Sequence, residues 1–231
     1  MTQRSILAGP NPAIVIKVGG SVTVRGVEGE RVSASTGDRW GLQVEKNKGN
    51  EKQVARARAA VGEHVLFDLR LKLPNWEDKN PPDEIITVQM GGSGEVLVPF
   101  GASLKVYSGG DISVQAVRGL VDAYAGAGVG LHDVYCLGNA SAGASMDLDC
   151  ETMLATDAVF KSGGDIRFHV RDLAGARVRV KDLGGYWEAQ IGAGEKSVYL
   201  KSGGDVTLVT DRPVEALPPN YVLGRIEKPA A

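Results

Sequence analysis

Along most of the chain apolar residues alternate with polar ones, and glycine-rich turns interrupt the alternation at nearly even steps. The inward candidates are Val96/Val98, Leu104/Val106, Val121/Ala123/Ala125, Val178/Val180, Trp187/Ala189/Ile191 and Val198/Leu200. A period of two marks half-buried β-strands, whose other residues face water. Glycine turns fall at Gly91-Gly92, Gly109-Gly110, Gly126 to Gly130, Gly143, Gly163-Gly164, Gly184-Gly185 and Gly203-Gly204. Taking the first glycine of each, the steps are 18, 17, 17, 20, 21 and 19 residues.

Three of these turns share one spelling. Ser108-Gly109-Gly110-Asp111, Ser162-Gly163-Gly164-Asp165 and Ser202-Gly203-Gly204-Asp205 are each followed by a β-branched residue and a new alternating run. Those runs are Ile112/Val114, Ile166/Phe168/Val170 and Val206/Leu208. A tight turn feeding a half-buried strand, repeated at a fixed step, means stacked equivalent layers. The expected fold is all-β, a right-handed parallel β-solenoid with coils of about 17–21 residues and roughly eight to ten coils. One coil cannot bury its apolar face alone, so stability must come from its neighbours.

The regular coils are expected over 84–212. The segment Ile14 to Val24 reads as a first coil, continued by strands over Val32 to Thr36 and Leu42 to Glu45. An irregular stretch follows over 46–83. In it Lys46 to Glu51 reads as a polar loop and Gln53 to Val61 as either helix or strand. His64 to Leu73 reads as a strand, and Asn75 to Asp83 as an exposed loop. Residues 1–13 are expected to be a tail. Residues 213–231, with Pro213, Pro218, Pro219 and Pro229, are expected to be a cap or tail that cannot continue a ladder.

Composition sharpens this reading. Hydrophobic residues make up 43% of the chain but aromatics only 6%, so Val, Ile, Leu and Ala must build the core. The net charge of -2 removes a whole-protein case for nucleic acid or an anionic membrane as partner. No apolar run approaches the roughly 18 residues of a membrane span. Met1 to Ala13 lacks the apolar region of a secretory signal. If Met1 is the native start, the cytoplasm is the expected location; a preceding segment would place the protein at the cell envelope or outside it. Cys136 and Cys150 are two small half-buried thiols or one disulfide.

Asp111, Asp165 and Asp205 could bind a cation along one edge, although capping of their own turns is the simpler role. Their sequence separation puts at least one coil between copies. Asp147, Asp149 and Glu151 share the outer face of one strand, with Asp157 nearby. They could hold calcium or serve acid–base chemistry, but read better as a solvated face. His64, His132 and His169 have no ligand spacing. Gly91-Gly92-Ser93-Gly94 precedes a strand, and a phosphate cradle needs a helix there. Arg177, Arg179 and Lys181, with Arg167 and Arg171 one coil earlier, form a basic wall that could dock an acidic partner. No cofactor, metal or catalytic set emerges. Trp40, Trp76 and Trp187 are dispersed rather than lining a carbohydrate-active groove.

The run from Val96 through Pro99, Leu104, Val106 and Ser108-Gly109-Gly110-Asp111-Ile112 to Val114 resembles the core pattern of the bacterial putative-adhesin β-solenoid family, also called the toastrack domain. The resemblance extends over about Ile14 to Val209 and is strongest from Val96 onward. It implies a parallel β-solenoid and association or assembly at the cell envelope. Polymer-forming solenoids of the bactofilin kind are similar in coil length, at a greater distance. The function expected is therefore that of a non-enzymatic scaffold that self-associates, into filaments or other assemblies. The alternative is an adhesin-like module that presents a flat ladder face to a partner protein.

Overall fold

A computed structural model of the chain describes residues 1–37, 41–48, 84–153, 157–172, 176–191, 194 and 196–210. Every regular element in it is a strand. They are β1 (Thr2–Leu7), β2 (Ala13–Val18), β3 (Val22–Val27), β4 (Arg31–Thr36), β5 (Gln43–Lys48), β6 (Glu84–Met90), β7 (Gly94–Pro99), β8 (Ser103–Ser108) and β9 (Ile112–Gln115). They continue with β10 (Leu120–Ala125), β11 (Val129–Ala142), β12 (Met146–Met153), β13 (Asp157–Ser162), β14 (Ile166–Asp172), β15 (Ala176–Asp182), β16 (Gly185–Ile191), β17 (Lys196–Ser202) and β18 (Val206–Thr210). No helix among the described residues is long and apolar enough to cross a membrane.

Pairing sorts these strands into two mixed sheets facing each other across one core. The first runs β5-β6-β2-β8-β10-β11-β13-β17-β15-β16. The second runs β1-β4-β7-β3-β9-β11-β12-β14-β18. Strand β11 belongs to both. Its start pairs β9 and β12, and its end pairs β10 and β13. The crossing is marked by a register shift after Leu131 and by a positive φ of 51° at Asp133. All inner pairings are parallel, and in register except for shifts where β11 pairs β10 and β12; β1, β4, β5 and β16 pair antiparallel at the ends.

The alternation expected from sequence holds on the paired strands. Ile14, Ile16, Val96, Val98, Val106, Val114, Leu148, Val178, Leu200 and Leu208 point into the core. Cys150 is buried with them. Phe160 and Phe168 meet across the two sheets within one layer, their ring centroids 5.2 Å apart.

Three expectations need correction. First, layer order is not chain order. The 13–27 layer lies between those of 84–99 and 103–115, and the 197–210 layer lies between 157–170 and β15. Seven two-stranded layers lie within the described residues. Second, residues 2–7 are strand β1 rather than tail, and Lys46 to Lys48 continue β5 rather than starting a loop. Third, Gly184-Gly185 does not turn a corner. Asp182 stands where Ser202 stands in the neighbouring layer, and its Oδ1 accepts the N–H groups of Gly184 (2.9 Å) and Gly185 (3.1 Å). With φ of 132° at Gly185, the chain reverses into the antiparallel β16. Expectations for 53–61, 64–73, 75–83 and 213–231 fall outside the described residues.

Candidate functional site

The glycine corner between the two sheets is a ladder in its own right. Gly109 N–H donates to Val18 O, Gly126 to Ser108 O, Gly143 to Ala125 O, Gly163 to Ala142 O and Gly203 to Ser162 O, at 2.9–3.2 Å. None of these glycines has a positive φ. Their requirement is steric instead. A Cβ at Gly109 would run into the carbonyl oxygen of Gly19, one at Gly163 into that of Gly143, and one at Gly203 into that of Gly163. At the second corner position a Cβ would first meet a side-chain oxygen, of Ser21, Ser145 or Asp165, rather than backbone. Gly110, Gly164 and Gly204 share that position with Ala127 and Ala144, which continue the same chain of hydrogen bonds.

The serines, not the aspartates, cap their own turns. Ser108, Ser162 and Ser202 accept the N–H groups of Gly110, Gly164 and Gly204 at 3.2, 3.2 and 3.0 Å. Their hydroxyls also donate across layers, Ser108 to Gly20 O, Ser162 to Ala144 O, and Ser202 to Gly164 O. The aspartates reach sideways to the next layer. Asp111 Oδ1 accepts from Gly128 N–H (2.8 Å) and Asp165 Oδ1 from Asp205 N–H (2.9 Å). Asp165 and Asp205 therefore sit on adjacent layers, although 40 residues separate them in the chain. No group of three or more metal-ligating side chains occurs among the described residues.

The five basic candidates divide between the sheets. Arg167 and Arg171 lie on β14, beside the acidic row of β12. In register, Asp147 opposes Arg167 and Asp149 opposes His169. Glu151 meets Arg171 at 3.1 Å, and Asp149 lies 3.4 Å from His169. The acidic face and part of the basic wall thus neutralise each other. Asp157 lies on the other sheet, in β13. Arg177, Arg179 and Lys181 are on β15, also in that sheet. Arg177 contacts Glu188 (3.5 Å), and Arg179 donates to Ser197 Oγ (3.0 Å) and stands over the Tyr199 ring.

Register exposes a feature that spacing alone does not. On the outer face of the first sheet, one column passes through Gln43, Gln89, Lys17, Tyr107, Tyr124, Ser141, Lys161, Lys201, Lys181 and Tyr186. It crosses all ten strands, about 43 Å at roughly 4.8 Å per step, and contains no carboxylate. The glycine corner flanks it. The first six members, with Gly19, Gly91, Gly109 and Gly126, line an open groove of about 900 Å³.

Within the groove Tyr107 and Tyr124 stack, with centroids 5.1 Å apart and planes 17° apart. Lys105 Nζ sits 5.6 and 5.8 Å from the two rings. Behind them Asp122 accepts the Asn139 N–H at 2.7 Å. Burial raises its carboxyl above the ordinary range, against the pull of Asn139 and Lys105. Burial also pushes the Tyr124 hydroxyl up to about 12, helped by the charges of Asp122 and Tyr107. The neutral phenol is the form the fold favours. That preference is complete below pH 10 and disappears as pH rises through about 12, so the fold weakens across that window. Tyrosinate absorbance should show a step near pH 12 from Tyr124, apart from Tyr186, whose hydroxyl is raised by its hydrogen bond to Glu188. In Tyr124→Phe the step near pH 12 should vanish; its persistence there would assign it elsewhere.

No family model matches the chain, and no curated protein matches it. Among solved structures it is similar to the crystal structure of a putative cell adhesion protein from Clostridium sporogenes ATCC 15579. The identity is 9% and the TM-score 0.44, over 90% of this chain and 99% of that one.

Proposed function

We propose that the protein is a non-enzymatic binding module whose two sheets are the walls of one right-handed parallel β-solenoid. The flat outer face of the first sheet is its binding surface. In-register parallel pairing with a hydrogen-bonded glycine corner at each layer supports the solenoid. The near-universal hand of parallel crossovers supports the right-handed winding. The observation that carries the functional reading is the carboxylate-free column and its groove. A solvated face has no need of such a column, and the second sheet mixes both signs of charge.

Self-association is the second reading. Among the described residues β18 has a strand partner on one side only, β14, and an unpaired edge can template another copy. Against end-to-end growth, β5 lies antiparallel over one end of the first sheet and β16 over the other. Light scattering across a wide concentration range should give a monomer mass throughout. Filaments, or mass that grows with concentration, would overturn the binding-module reading in favour of a self-assembling scaffold.

A further inference from the structure

We propose that the trench between the glycine corner and the outer column binds an extended acidic polysaccharide along the stack. The inference rests on the binding-module reading and names the ligand class of that same face.

Charge is the first ground. Lys161, Lys201 and Lys181 stand directly opposite one another on three neighbouring strands, all exposed. Like charges in register repel; of their column neighbours Ser141 is uncharged, and Tyr186 donates to the Glu188 carboxylate (2.7 Å), which Arg177 already engages at 3.5 Å. Lys17 adds a fourth ammonium in the groove. The second sheet answers its basic strand with an acidic one at the same register. Among the described residues no carboxylate pairs with the lysines of this column, in a chain whose net charge is -2. An anion from outside the chain supplies the missing partner.

Shape and chemistry set the kind of anion. A straight column flanked by glycines, which put no side chain into the trench, suits an extended polymer rather than a compact ligand. Single-stranded nucleic acid is bound by stacking bases on open aromatic faces. Here the faces of Tyr107 and Tyr124 stack on each other, with Lys105 over both rings. What remains is a line of phenol, amide and ammonium donors, which matches a chain of hydroxyls and carboxylates or sulfates. An extended peptide gains its affinity from backbone hydrogen bonds at a strand edge, which the face of a sheet does not offer.

The test is affinity electrophoresis of the full chain through gels holding polygalacturonate, dextran sulfate, neutral dextran or oligodeoxythymidylate. Retardation is expected with one or both acidic polysaccharides, in a salt-dependent manner, and not with dextran. Retardation by polygalacturonate alone assigns carboxylates, and by dextran sulfate alone assigns sulfates. The triple variant Lys161→Gln/Lys181→Gln/Lys201→Gln should bind at least about tenfold more weakly. Lys201→Gln alone should show a smaller loss, and Arg167→Gln on the opposite sheet should bind as the parent does. Equal retardation of parent and triple variant would overturn the assignment to this column. Binding of the oligonucleotide as tightly as the polysaccharides would overturn the ligand class. No retardation by either acidic polysaccharide would overturn the inference yet leave the binding-module reading standing, since that reading fails on self-assembly instead.

Discussion

Phe168→Ala should cost about 3–5 kcal/mol of stability, the range for removing a fully enclosed phenylalanine. Phe168 has no exposed surface. Its register neighbours are Leu148 in the layer on one side and Leu208 on the other, and Phe160 packs on it from the opposite sheet at 5.2 Å. Both flanking strands are held by parallel hydrogen-bond ladders, so the walls cannot close on the vacated volume. Most of the cavity therefore remains. Urea unfolding should show an earlier midpoint with little change in slope. Thr207→Ala, one residue from Leu208 on an outward position, serves as the surface comparison and should change stability little. A loss in Phe168→Ala under about 1 kcal/mol would mean that the layers slide or collapse together, contrary to an in-register stack.

Much of this fold is written in local pattern. The alternation at Val96/Val98, Ile166/Phe168/Val170 and Val198/Leu200 is a direct record of which residues face the core, because a strand offers only two faces. Stacking order is not local. Nothing at Gly19-Gly20-Ser21 says that its layer will sit between those of Gly91 and Gly109, and the 176–191 hairpin looks like a coil until Asp182 is seen in the serine position. Order determines which outward residues become neighbours, so the candidate site was only partly legible. Lys17, Tyr107 and Lys161 lie far apart in the chain and gain meaning as a column once register is known. For the same reason Arg167 and Arg177 look like one wall in sequence, yet occupy different sheets. The aspartates Asp111 and Asp165 cap neighbouring layers rather than their own turns, which is again a consequence of stacking.

The most severe surface substitution should be Gly163→Ala. Exposed positions are normally tolerant, and Gly163 is exposed with an unremarkable φ, so neither burial nor backbone strain marks it. The obstacle is the adjacent layer. The new methyl would press on the carbonyl oxygen of Gly143, a backbone atom fixed by the ladder, and 3.1 Å from its carbonyl carbon. Relief requires the two layers to part at the corner, which loosens the bond from Gly163 N–H to Ala142 O and the serine bond beside it. Overpacking of this kind costs about 1–3 kcal/mol, and the upper end is expected because the clash is with backbone. The chain supplies its own comparison. Every described layer has glycine at this first position, while the second position holds Ala127 and Ala144 in two layers. Gly164→Ala meets the Ser145 hydroxyl at 2.8 Å, a side chain that can turn away, and should lose under about 1 kcal/mol. Gly37→Ala has open space around it and should be near neutral. A loss confined to Gly163→Ala would show that layer spacing, not turn geometry, dictates the glycine. Equal losses at 163 and 164 would point instead to the turn itself and would undo the stacking account of the corner.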